Sequence, residues 1–536
     1  MEPIQLYDTT LRDGTQGEDV NFTAEEKVKI AQRLDDIGIH YIEGGWPGSN
    51  PRDRQFFELA KGLSLKNARL AAFGATRRPG IAPGDDQNLI ALLEAETPVV
   101  TLFGKTWDLH VEQIMNNTLE ENLAMIRDSV AFLKEEGREI IYDAEHFFDG
   151  YHQNRDYALK TIAAALEAGA DTLVLCDTNG GTLPFDIESA TREIIEFVKA
   201  HNGTAVPIGI HCHNDSGLAV ANSITSVRAG ATMVQGTING YGERCGNADL
   251  ISVIPVLATK MNYPCMSDEN LAKLRALSRF VSETANIVPL KSRPFVGKSA
   301  FAHKGGIHVN AVMKTPRAYE HMVPEIVGNR RRILVSDLAG KSNVEYKAKE
   351  LGIDLNRNGY DSRKIVEEIK RLEQEGYQYD VAEGSLAILM EKFTDQFRPY
   401  FDLESFRVVI EKDRDQPCSA HATIKITVGD RGEITAAEGR GPVSALDNAL
   451  RKALDNFYPD LDDMRLVDFK VRVMDGRSAT ASKVRVYIES RDRDSIWSTI
   501  GVSTDIIEAS WQALADSFQY RLARHNDKDG SSEDIR

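Results

Sequence analysis

The chain is poor in cysteine: five in 536 residues, at 176, 212, 245, 265 and 418, an odd number with no CxxC pair. That excludes a disulfide framework and a cysteine-rich zinc site, and it suits a reducing compartment. Positive charge is also in deficit. Lys and Arg number 64 against 81 Asp and Glu, a formal charge of −17, which argues against binding nucleic acid or an anionic membrane surface nonspecifically. No apolar run approaches the roughly 20 residues needed to cross a bilayer. The opening MEPIQLYDTT carries neither a basic n-region nor an apolar h-region. A soluble, cytoplasmic protein is therefore expected. Glycine-rich phosphate loops are missing too: the sequence has no dinucleotide or P-loop fingerprint. At this length one hydrophobic core is not enough, and two or three domains are expected.

What is present is a recurring junction. An amphipathic helix ends in glycine and a β-rich run follows at once, as in Gly38-IHYIE, Gly137-REIIY, Gly169-ADTLVL and Gly230-ATMVQ. A left-handed glycine that closes a helix and turns the chain into a parallel strand explains each copy. Further strands are predicted at Ile4–Tyr7, Leu70–Phe73, Val99–Phe103 and Val206–Ile210. Thr23-Ala-Glu-Glu26 reads as a capping box opening a helix that turns Val28, Ala31, Leu34 and Ile37 inward. Eight βα units at this spacing favour a closed (βα)8 barrel over an open doubly wound sheet, although periodicity alone does not show closure.

The barrel is expected over 1–270 and mostly helical linker subdomains over 271–400, including helices at Leu271–Asn286 and Ser362–Glu375. A C-terminal α+β domain is expected over 401–524, with a disordered tail over 525–536. The C-terminal domain contains a weak internal repeat. ATIKITV leads to GRGPVSALDNALRKAL, and SKVRVYI leads to GVSTDIIEASWQALADSF, so two pseudo-symmetric halves are predicted.

The stretch Ile210–Gly217, IHCHNDSG, places two of only 12 histidines one residue apart at the end of an apolar run. In a strand, residues i and i+2 share a face, so His211 and His213 project together and Cys212 faces away. A divalent metal can use that geometry; two polar residues that merely end a strand are the alternative. The barrel hypothesis offers a test, because its chemistry gathers at the C-terminal ends of the strands. There lie Asp8, Arg12 and Asp13 after the first strand, Tyr142 and Glu145 after the fifth, and Asp177 and Thr178 after the sixth. His211 and His213 follow the seventh strand, and Glu243, Arg244 and Asn247 the eighth.

YDTTLRDGTQ, HCHND and GYGERCGN, in that order, closely resemble the motifs of the metal-dependent acyl-CoA Claisen-condensing synthases. This is the 2-isopropylmalate synthase/homocitrate synthase family, which includes the citramalate synthases. The resemblance runs over essentially the whole chain, and the C-terminal repeat resembles the family's regulatory dimer domain. IEGGWPGSNP, TLFGKTWDLHV and FAHKGGIHVNAV are most similar to the longer bacterial citramalate synthases; 2-isopropylmalate synthases more often carry GFP after the second strand.

The resemblance implies an acyltransferase that condenses acetyl-CoA with pyruvate. It implies Asp13, His211, His213 and Asn247 as ligands of a divalent metal (Mn²⁺, Zn²⁺ or Mg²⁺). Arg12 is implied at the developing oxyanion, Thr178 at the 2-oxo acid carboxylate and Glu145 near the acetyl group. His308 of GGIHVNA is the implied base, assisted by Tyr319 of RAYEHM. Tyr142, read as sharing a strand face with Glu145, is expected to line the pocket. His303 is expected to be structural, and Arg330-Arg331-Arg332 a solvated cluster that could also meet coenzyme A phosphates. The family further implies a homodimer and feedback inhibition by isoleucine, with Gly441, Ser444, Gly501 and Ser503 leaving room for an aliphatic side chain between the halves. The competing readings are 2-isopropylmalate synthase, then homocitrate synthase, and a 3-hydroxyacyl-CoA lyase on the same barrel. The long C-terminal domain weighs against the lyase.

Overall fold

The computed structural model describes residues 2–203, 205–353, 362–394, 397–415, 417–474 and 482–530. Eight parallel strands close into a barrel in sequence order: β1 (Gln5–Asp8), β2 (Tyr41–Gly45), β3 (Arg69–Ala75), β4 (Val99–Lys105), β5 (Glu139–Glu145), β6 (Thr172–Asp177), β7 (Ile208–Cys212) and β8 (Met233–Gly236). Closure is made by β1 pairing with β8, Gln5 opposite Met233 through Asp8 opposite Gly236. Gly38, Gly137, Gly169 and Gly230 all have positive φ, between 76° and 122°, so the helix-to-strand junctions form as the sequence predicts. Thr23 and Glu26 make the reciprocal capping box.

The observed strands run further than the predicted ones at their C-terminal ends. β5 reaches Glu145, β6 reaches Asp177 and β7 takes in His211. Hydrophobicity stops where the barrel's lumen turns polar, but the hydrogen-bonded ladder does not. Within the lumen, Tyr7, Tyr41, Ala71, Val99, Ile141, Val174, Cys176 and Met233 form a small apolar layer. Two residues further along their strands, on the same face, stand Glu43, Phe73, Thr101, Asp143 and Gln235. The polar layer therefore sits directly above the apolar plug.

The chain forms two compact units, 1–301 with 322–330, and 302–321 with 331–536. The stretch 271–400, where helical linker subdomains are expected, is divided between them. The first unit adds the helix Leu274–Thr284 to the barrel. The second begins with the short parallel pair β9 (Ala302–His303) and β10 (Arg332–Ile333) and continues through helices Gly306–Lys314, Lys341–Glu350, Ser362–Glu375 and Glu383–Lys392. It ends in two antiparallel sheets of identical plan. β11 (Asp402–Glu411), β12 (Ser419–Val428) and β13 (Arg431–Gly439) precede the helix Pro442–Leu454. β14 (Arg465–Val473), β15 (Val484–Arg491) and β16 (Ile496–Ser503) precede the helix Ile506–Gly530.

The predicted duplication is visible in detail. Both first strands carry a register shift at the same place, between Leu403 and Ser405 and between Leu466 and Asp468. In both halves a buried threonine hydroxyl donates to a helix carbonyl at 2.7 Å, Thr435 to Ala449 and Thr499 to Ala513. The closing helix continues through 525–530, where a tail was expected to begin; residues 531–536 lie outside the described set. No described helix is long and apolar enough to cross a membrane.

Candidate active site

Asp13 opens a short turn after β1, His211 is the penultimate residue of β7, and His213 follows directly after the strand ends at Cys212. Asp13 Oδ2 lies 3.4 Å from His211 Nε2 and 3.8 Å from His213 Nε2, and the two imidazole Nε2 atoms are 3.4 Å apart. The three side chains are buried, and their ligand atoms lie within 4.8 Å of one another, a group able to hold a metal ion. Burial alone would raise the Asp13 pKa, but Arg12 and the two imidazoles outweigh it and hold the carboxyl well below its usual range. Burial pushes His213 down to about 4, which favours the neutral ring that metal ligation requires.

Asn247 joins them through the backbone. It forms an isolated antiparallel bridge with His213, and its Nδ2 donates to Tyr241 O at 3.3 Å. Its Oδ1 is buried and, like Asp13 Oδ1, has no hydrogen-bond partner among the described residues. Two acceptors left bare in a buried site are costly unless a cation or donor meets them. The donor set thus fits the implied metal: one carboxylate, two imidazoles and one amide oxygen. The GYGERCGN glycines make the Asn247 position possible. At Gly246 φ is +89°, and a Cβ would lie 2.0 Å from Gly240 O. At Gly242 φ is +157°, and a Cβ would lie 2.1 Å from Asn247 Nδ2.

Arg12 is held from several sides. Its Nε donates to Glu43 Oε1 at 2.5 Å, its Nη1 lies 3.3 Å from Asp13 Oδ2, and its guanidinium sits 3.8 Å above the Phe73 ring. Burial would lower the Arg12 pKa, but Glu43 and Asp13 reverse that and keep it charged. Glu43 is itself fixed by the Tyr7 hydroxyl at 2.6 Å and the Thr9 hydroxyl at 2.5 Å. Thr178 accepts the His146 N–H at 2.8 Å, which leaves the Thr178 hydroxyl proton free to donate. Glu145, at the end of β5, pairs with Lys105 at the end of β4. The remaining rim residues are structural. Asp8 accepts from the Thr10 amide and hydroxyl, and Asp177 accepts from the Thr182 hydroxyl. Arg244 pairs with Asp215 and donates to Thr178 O, while Glu243 is exposed.

Tyr142 is a correction. It stands three residues from Glu145, so the pleat turns it to the opposite face. The ring is fully buried in the layer between the barrel and its helices, where a Cβ on Gly104 would press against it. It does not line the site. The polar lumen residue next to it is Asp143, which sequence reading passed over together with Glu43 and Gln235. The available signal was a polar residue at a lumen-facing position of an otherwise apolar strand.

His308 and Tyr319 belong to the second unit. Both are exposed, and their rings stack with centroids 4.2 Å apart. His303 Nε2 lies 3.1 Å from Glu320 Oε1 and Arg331 binds the same carboxylate through two nitrogens. His303 is accordingly structural, and Arg331 is committed to Glu320.

Residues 3–281 match the HMGL-like family model, 295–377 the homocitrate synthase post-HMGL domain-like model, and 380–522 the LeuA allosteric (dimerisation) domain model. The chain is 53% identical to the (R)-citramalate synthase of Geobacter sulfurreducens, covering 99% of this chain and 100% of that protein. It is 51% identical to the (R)-citramalate synthase of Aquifex aeolicus, covering 98% and 99% of the two. Identity to the 2-isopropylmalate synthase of Methanocaldococcus jannaschii is 31%, over 97% and 95%. Matched over more than half its length by one family model and over nearly all of it by these relatives, the chain belongs to the HMGL-like family, in its 2-isopropylmalate, homocitrate and citramalate synthase branch.

Proposed function

We infer that the chain is a citramalate synthase, condensing acetyl-CoA with pyruvate and water to give (R)-citramalate and coenzyme A. The observation that carries the reading is end-to-end likeness to (R)-citramalate synthases, supported by the buried Asp13–His211–His213 group. Asp13, His211, His213 and Asn247 would hold a divalent cation, which would supply Lewis acidity at the pyruvate ketone. Arg12, always charged and clamped by Glu43, donates to the ketone oxygen as it gains negative charge. Thr178 uses its free hydroxyl proton to bind the pyruvate carboxylate. His308, with Tyr319 stacked on it, takes a proton from the acetyl methyl group, and the resulting enolate carbon attacks the ketone carbon. Glu145 orients the acetyl thioester and the water that cleaves it, releasing the coenzyme A thiol.

The protein works as a homodimer through residues 380–522, and isoleucine, the pathway end product, inhibits from that domain. The test is thiol release from acetyl-CoA with pyruvate, 2-oxoisovalerate or 2-oxoglutarate as acceptor. Pyruvate should give the highest kcat/KM. Preference for 2-oxoisovalerate would instead make the chain a 2-isopropylmalate synthase.

A further inference from the structure

His211 has a second hydrogen bond, on the side away from Asp13. Its Nδ1 lies 2.8 Å from Gln235 Oε1, and Gln235 Nε2 donates to Asp143 Oδ1 at 2.9 Å. These residues come from β7, β8 and β5, and their exposures are 5%, 0% and 4%. We propose that Gln235, held in one orientation by Asp143, is a positioning residue that sets the tautomer of His211.

The argument is one of donors and acceptors. A side-chain amide keeps its shape when flipped, so packing cannot orient Gln235. Asp143 Oδ1 accepts from the Gln235 amide nitrogen at 2.9 Å, which a carboxylate oxygen or the carbonyl oxygen of a protonated carboxyl can equally do, so the amide oxygen faces His211. That oxygen only accepts, and at 2.8 Å it favours the His211 proton on Nδ1 over the longer 3.4 Å contact of Nε2 with Asp13 Oδ2. Nε2 then keeps its lone pair, and Nε2 is the atom turned toward Asp13 and His213. A reversed amide would put its NH₂ against Nδ1 and force the proton onto Nε2, the ligand atom. Asp143 thus acts on the cation site through two hydrogen bonds without joining it.

The inference rests on the divalent-cation reading, and the experiments separate the two. Metal-free full-length protein is titrated with Mn²⁺ by calorimetry, as wild type, Gln235→Leu and Gln235→Glu, with a melting curve for each. Gln235→Leu should bind Mn²⁺ ~10–100-fold more weakly. Gln235→Glu can share a proton with Asp143 and still accept from His211, so it should stay nearer wild type. If Gln235 served packing alone, the order would reverse, because Leu fits an apolar gap and Glu adds a second buried carboxyl. Wild-type affinity in Gln235→Leu, or tighter binding there than in Gln235→Glu, overturns the proposal. Failure of the wild type itself to bind Mn²⁺ would instead count against the cation reading. ¹⁵N-histidine NMR of metal-free wild type, recorded at a pH high enough to leave His211 neutral because, against burial, Asp13 raises its pKa, then decides the tautomer without any variant: a neutral ring protonated on Nδ1 is expected, and one protonated on Nε2 refutes the relay.

Discussion

Asn247 reaches the cation site on a backbone that a side chain at either flanking glycine would displace. Gly246→Ala has to adopt φ near +89° and push Gly240 O from 2.0 Å, and the shift is transmitted directly to Asn247. The expected outcome is a loss of Mn²⁺ affinity on the order of 10-fold or more with a modest fall in melting temperature, read by calorimetry and thermal denaturation. His308→Ala tests a different function. It should leave pyruvate binding nearly unchanged while kcat falls ~10²–10⁴-fold; a raised KM with unchanged kcat would assign His308 to binding. The clustering of Asp13, His211 and His213 was legible because LRDG and HCHND are compact strings. Gln235 and Asp143 were not, since each is a single polar letter inside an apolar strand and gains meaning only when closure brings β5, β7 and β8 together. Tyr142 was misplaced by a miscount of strand parity.

At the scale of elements, the first helix (Ala24–Asp36) and the helix Pro51–Ala60 are joined through a buried ion pair. Lys27, fully buried, pairs with Asp53 Oδ1 at 2.5 Å and donates to Gly44 O at 3.2 Å, and Asp53 Oδ2 accepts the Trp46 amide at 2.8 Å. Amphipathic periodicity assigned the inward face of the first helix to aliphatic residues, and three of the four, Ala31, Leu34 and Ile37, are buried. It could not reveal Lys27, whose partner comes from another element. Asp53→Ala should destabilise the protein by ~3–5 kcal/mol, because it strands a buried ammonium. The double variant Lys27→Met, Asp53→Ala should recover much of that loss. Denaturant midpoints of the two variants provide the check, and equal destabilisation would mean that the ion pair itself contributes little.

At the scale of the whole molecule, the eight-unit barrel and the duplicated C-terminal domain could both be read in advance, because each repeats a local pattern several times. The division at 301, with 322–330 returning to the barrel unit, could not, since no change of composition marks it. The two half-domains also bear on regulation. Gly441 caps the helix Pro442–Leu454 and Ser444 lies in its first turn, while Gly501 and Ser503 end β16 rather than starting a helix; isoleucine should inhibit the full-length enzyme at lower concentration than leucine does. Steady-state inhibition curves for both amino acids decide this, and indifference to isoleucine would leave the domain a purely assembling role.

Closing a sheet on itself leaves no strand with a bare flank, and the barrel has none. The C-terminal sheets are open, and each has two outer strands, β11 with β13 and β14 with β16. On β14 the alternate residues Val467, Phe469, Val471 and Val473 are exposed, at 44%, 36%, 41% and 56%. An outer strand with an apolar stripe is a template for pairing with stray chains. Single chains released from the proposed dimer should therefore precipitate through their C-terminal sheets rather than through the barrel.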